Sequence, residues 1–107
     1  MKTKNEIISI SEAIREFLQS EHEGNGRAIK AADLCSHFAT TPRQLRVIVS
    51  ALRNEGEPIC SDGSGYYYAA SAEEIAKTRM LIRAHAASTM RAAEGLDKAL
   101  KRFTVVS

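Results

Sequence analysis

At 107 residues the chain has room for one domain and an appended element. Its hydrophobic fraction of 44% and charged fraction of 26% are those of a folded globular protein, and they exclude a disordered or collagen-like chain. The net charge is only +2, too little for a strong sequence-independent hold on nucleic acid, which needs many phosphate contacts.

Charge is unevenly placed. Residues 1–26 carry 3 basic and 5 acidic groups, residues 27–70 carry 5 and 4, and residues 71–107 carry 7 and 4. With no Trp and 6% aromatics, the core must be aliphatic and alanine-rich. Cys35 and Cys60 lack the spacing of a zinc or redox motif and are expected as buried, reduced thiols, which suits a cytoplasmic protein. No stretch approaches the roughly 20 apolar residues of a membrane span. The start, MKTKNEIISIS, lacks the apolar run and cleavage site of a signal peptide.

In chain order, residues 1–8 are expected as a lead-in. Ser9 and Glu12 then offer a capping box for a first helix running to about Glu21. Ile10, Ala13, Ile14, Phe17 and Leu18 share its apolar face; Glu12, Arg15, Glu16 and Gln19 share its solvated one. Glu23 to Gly26 reads as a turn, and Arg27 to Ile29 as a short β-bridge to a later hairpin. A second helix covers about Lys30 to Phe38, with Ala31, Leu34, Cys35 and Phe38 inward.

After a tight connection comes the best-marked helix, Thr41 to Gly56. Thr41 is a good N-cap, Pro42 suits the first helical position and Gly56 the left-handed position past the end. Leu45, Ile48, Val49 and Leu52 form its apolar stripe, while Arg43, Arg46, Ser50 and Arg53 line a polar side. The short interval between the two helices is helix-turn-helix spacing. Pro58 to Ser61 and Tyr66 to Ala69 then read as two strands joined at Asp62 to Gly65. Alternation either sets Ile59, Tyr66 and Tyr68 on one face or divides the tyrosines between faces, with at least one ring on the core.

From Ser71 onward a second capping box, with Glu74, opens a helix over about 72–103. Ile75, Thr78, Ile82, His85, Thr89, Ala92, Leu96, Ala99 and Phe103 recur at alternating spacings of three and four. Such a helix is roughly 48 Å long, whereas a globular part of about 70 residues spans roughly 28 Å. Either the helix breaks near Gly95 and folds back, or a second copy covers the excess; pairing is the favoured reading. The fold class is therefore mostly α with a small β-hairpin wing: a winged helix-turn-helix over residues 1–70, plus a long C-terminal dimerisation helix over 71–107.

The stretch Leu52-Arg53-Asn54-Glu55-Gly56, then Pro58 to Ser61 and Gly63-Ser64-Gly65-Tyr66-Tyr67, resembles the N-terminal winged helix of biotin-repressor-type proteins. Those have an LR-x-x-G helix end, a strand and a G-x-G-Y wing. The likeness covers about residues 10–70, and the layout also looks like small winged-helix proteins of phages and mobile elements. It implies the DNA-reading module and not biotin chemistry.

On a DNA-binding winged helix the capped helix enters the major groove. Arg43 and Arg46 then reach guanine, and Gln44 reaches adenine. Thr40, Thr41, Ser50, Ser61, Ser64 and Lys30 are candidate backbone contacts. Arg53 is placed equally well as a phosphate contact or as a complement to the helix dipole. Ile75, Ile82, His85, Thr89, Leu96 and Phe103 are the candidate dimerisation residues. His22, His37 and His85 lack metal-ligand spacing, and Ser64 lacks a matched base, so neither an enzyme, a metal site nor a cofactor is expected. The expected function is sequence-specific binding of double-stranded DNA by a dimeric transcriptional or replication regulator. The alternative is a winged-helix adaptor that binds a protein, such as a replication or host defence protein, and touches no DNA.

Overall fold

The computed structural model describes the backbone of residues 4–104 and side chains from residue 10 to 104. It is mostly helical, with one two-stranded hairpin: α1 (Lys4–Glu21), a 3₁₀ turn (Asn25–Arg27), α2 (Ala31–Phe38), α3 (Pro42–Asn54), β1 (Ile59–Asp62), β2 (Gly65–Tyr68) and α4 (Ala72–Thr104).

α1 starts earlier than expected. Lys4 to Ser9 are already helical, so Ser9 lies inside the helix and the Ser9–Glu12 box is not its cap. Ile14 and Leu18 are fully buried, with Ile10 and Phe17 packed beside them, but Ala13 is exposed. On α2, Leu34 and Cys35 are buried while Ala31 is exposed. Both alanines sit at the margin of their stripe, where a methyl group is too short to reach the core.

α3 follows the sequence closely. Thr41 Oγ1 accepts the N–H of Gln44 at 3.1 Å, and Gln44 Oε1 accepts the N–H of Thr41 at 3.1 Å, a complete capping box. At the other end Gly56 adopts φ +94°, its N–H bonds Arg53 O, and that of Glu57 bonds Leu52 O, the pair that defines a Schellman motif. Leu45, Ile48, Val49 and Leu52 are all buried against α1 and α2.

The hairpin register pairs Ile59 with Tyr68, Cys60 with Tyr67 and Ser61 with Tyr66. Opposite residues share a face and successive ones alternate. Ile59, Tyr66 and Tyr68 therefore turn to the main core, whereas Tyr67 and Cys60 turn away from it and are buried beneath α4, around Thr78. The division of the tyrosines between faces, left open by the sequence, is thus decided by a second layer. The expected bridge also forms, with Ile29 and Tyr66 exchanging both backbone hydrogen bonds at 2.8 Å. A Cβ on Gly65 would lie 2.2 Å from Ile29 O, and Gly65 has φ +126°, so this crossing demands glycine.

Because Tyr66 bonds Ile29 on one side, Ser61 and Ile59 direct their backbone groups to the open edge of β1. That edge is closed by side chains. Arg53 Nε donates to Ile59 O at 2.7 Å, and Thr78 Oγ1 lies 3.3 Å from Ser61 N and 3.5 Å from Ser61 O. An unpaired edge invites strand addition; here α3 and α4 cover it.

α4 runs without a break through Gly95, so no fold-back occurs within the described residues. At 33 residues it is about 50 Å long. It gives the protein principal extents of 63 × 37 × 23 Å and a radius of gyration of 17.7 Å, against about 13 Å for a compact chain of this length. Glu74 fixes its start: its carboxylate accepts the N–H groups of Ala70 at 2.7 Å and Asn25 at 2.8 Å. These bonds hold its pKa below the usual glutamate value. Thr78 is the one buried residue among those described on α4.

Candidate nucleic-acid interface

The outward side of α3 carries Arg43, Arg46, Val47, Ser50 and Asn54, all exposed. They follow from the period that buries the opposite stripe: residues three or four apart share a face. A shallow groove continues from Arg46, Ser50 and Asn54 to Tyr66 of the hairpin and Ile82 of α4. Two guanidinium groups without a described ion pair, a hydroxyl, a carboxamide and one apolar side chain thus lie on one convex helix face. These groups match what base edges and phosphates present, including the thymine methyl group that an apolar side chain can meet.

Other candidates from the sequence fall elsewhere. Arg53 is half-buried; its fork holds Ile59 O and, through Nη2, Ser61 Oγ at 3.0 Å, and desolvation by burial lowers its pKa. Both Arg53 and Ser61 therefore work inside the fold, joining α3 to β1. Gln44 is engaged in the cap of its own helix, as is Thr41. The Thr40 hydroxyl oxygen is buried, without a hydrogen-bond partner among the described residues. Lys30 is exposed and its Nζ approaches Gly63 O at 3.3 Å, so it stands beside the hairpin tip. Ser64 is exposed there too, its N–H held by Asp62 Oδ1 at 2.7 Å, while Asp62 Oδ2 meets Asn25 Nδ2.

The structure brings Arg43, Arg46 and Ser50 together on α3, and Lys30 and Ser64 at the tip of the hairpin. Val47 and Asn54 belong to the first group and were not anticipated. Their signal was available, since both follow Arg43 and Ser50 at four-residue spacing. Val47 nevertheless reads as core by residue type, and Asn54 as part of the helix end.

No protein-family model, curated protein or solved structure matches the chain. No comparison therefore supports the resemblance to biotin-repressor-type domains. Among the described residues no group of three or more His, Cys, Asp or Glu side chains could hold a metal, and no helix is long and apolar enough to cross a membrane.

Of the candidate dimerisation residues, Ile75 and Ile82 flank Thr78 beside the hairpin and are 44% and 45% exposed. His85, Thr89, Leu96 and Phe103 lie beyond it, all exposed.

Proposed function

We propose that this protein is a winged-helix, sequence-specific double-stranded DNA-binding protein, acting in the cytoplasm as a small regulator of transcription or replication. In this reading α3 enters the major groove, with Arg43 and Arg46 on guanine and Asn54 on adenine in place of Gln44. Lys30 and Ser64 bring the hairpin tip to the backbone. The observation that carries the reading is the single open face of α3, on which Arg43, Arg46, Ser50 and Asn54 converge while Arg53 is withdrawn into the fold.

Residues 27–70 carry 5 basic against 4 acidic groups, so one copy would bind weakly. Two copies joined through α4 would reach the same duplex together, the second binding event becoming intramolecular. Half-sites about 34 Å apart, or a multiple of that, are then expected.

The test is a fluorescence titration of the full chain against genomic fragments at several salt concentrations. Arg43→Ala with Arg46→Ala should lower specific affinity by at least tenfold, at about 1–3 kcal/mol for each lost bidentate contact, with folding unchanged. Wild-type affinity in the double variant would exclude α3 as the reader. Val47, 61% exposed in the middle of the face, favours the second class, an adaptor that docks a protein partner there. Failure of every fragment to bind would leave that reading in place.

A further inference from the structure

Ile75, Ile82, Thr89, Leu96 and Phe103 recur every seven residues along α4, with Thr78, His85, Ala92 and Ala99 between them. A sustained seven-residue period is the seam of a left-handed helix pair. The N-terminal part of this seam is half covered. Thr78 is buried against Ser61, and Ile75 and Ile82 line an open apolar groove of about 380 Å³ whose other wall includes Pro58, Ile59 and Cys60. The C-terminal part is bare: Leu96 is 71% exposed, Leu100 60% and Phe103 86%.

We propose that two copies pair with their α4 helices antiparallel, the bare half of each lying in the groove between α4 and β1 of the other. This rests on the pairing through α4 put forward above and gives it a direction and a register. Parallel pairing would set Thr78 opposite Thr78, where each seam already faces its own hairpin, and both hairpins would have to share the space between the helices. Antiparallel pairing sets a covered half opposite a bare one.

The side chains select the register. Setting Ile75 across from Ala99, Thr78 from Leu96, Ile82 from Ala92 and His85 from Thr89 puts a larger residue against a smaller one in each layer, the condition for interdigitation. The same alignment leaves Glu73, Glu94 and Lys101 on the outward faces of the two helices, in water. It also sets Leu81 beside Gly95, where the single chain has nothing within 4 Å of an added Cβ and where a mid-helix glycine otherwise costs up to about 1 kcal/mol. Contact over about 46 Å of helix, roughly 10 Å wide, buries roughly 900 Å² in all. The groove walls extend it toward the ~1,200 Å² of specific interfaces. The two-fold axis passes near Ala87.

Nitroxide labels on Ala87→Cys and, separately, Lys101→Cys in the full chain test this by pulsed dipolar spectroscopy. Both positions lie on the face of α4 away from the seam. The native Cys35 and Cys60 are buried, and burial raises the pKa of the Cys60 thiol, so the label goes to the introduced residue. Antiparallel pairing gives a short distance at position 87 and one of about 42 Å or more at position 101, which lies 28 residues of helical rise from its mate. Equal short distances at both positions would overturn the antiparallel arrangement and leave a parallel dimer. Absence of dipolar coupling at both, with a single-copy mass in sedimentation at about micromolar concentration, would overturn the pairing reading itself.

Discussion

Arg53 Nε donates to Ile59 O at 2.7 Å across the turn at Gly56, so the last turn of α3 is fastened to the first residue of β1. The guanidinium fork adds Ser61 Oγ at 3.0 Å, and one side chain thereby ties α3 to β1 at two points. Removing it leaves a strand carbonyl without its partner. Arg53→Ala should cost about 1.5–3 kcal/mol in urea denaturation, the range for hydrogen bonds to a charged group. Arg53→Lys should recover only part of this, since an ammonium lacks the fork. Arg43→Ala, at an exposed position, should stay within about 0.5 kcal/mol of wild type. Equal effects at Arg43 and Arg53 would contradict the division of roles between them.

Gly65 meets the bridge strand at its closest approach. With a Cβ 2.2 Å from Ile29 O and φ at +126°, Gly65→Ala must push Ile29 away and adopt a strained backbone. A loss of about 2–4 kcal/mol is expected, read as a lowered thermal midpoint. The same change at Gly63, where nothing lies within 4 Å and φ is not positive, should be nearly neutral.

Ala39 ends α2 with φ 51°, a left-handed conformation that costs a non-glycine residue roughly 1–2 kcal/mol. It is exposed, and Ala39→Gly takes away a single methyl group. The substitution should stabilise the protein by about 0.5–1 kcal/mol, after the entropy that glycine adds to the unfolded chain. Calorimetry would show a raised midpoint, and a lowered one would mean the methyl group is held in a contact that the helix end needs.

Glu74 links pH to the docking of α4. Its folded-state pKa is lowered by the Ala70 and Asn25 N–H groups, so its contribution is fully present above the unfolded value, about 4.3. It is lost as pH falls through the lower folded value. Glu74→Gln should thus be less stable than wild type at neutral pH, and the gap should close below about pH 4. A gap of constant size from pH 7 to pH 3 would show that the charge plays no part.

Much of the fold is legible in local patterns. Thr41, Pro42 and Gly56 mark both ends of α3 because caps satisfy backbone groups within a few residues, without reference to the rest of the chain. The long helix is legible for the same reason: no proline follows Ser71, and alanine is dense. The Ile29–Tyr66 bridge was readable from a short apolar segment facing a hairpin. Ser9 misleads because a good capping residue also tolerates a helix interior, and the helix continues to Lys4.

The candidate site was legible only in part. Spacing alone places Arg43, Arg46 and Ser50 on one face of α3, since the period that builds the apolar stripe also builds its opposite. It could not separate Arg53 from them, because the difference lies in Ile59 and Ser61, brought within reach only when the chain turns back at Gly56.

The sequence by itself therefore determined that the helices exist, both ends of α3, the hairpin and the seven-residue period of α4, all products of short-range periodicity and backbone chemistry. Only the tertiary structure decided that Arg53 serves the fold, that Tyr67 and Cys60 form a second layer under α4, and that Thr78 closes the edge of β1. Those outcomes depend on which polar groups desolvation leaves without water, and that is settled by what packs against them.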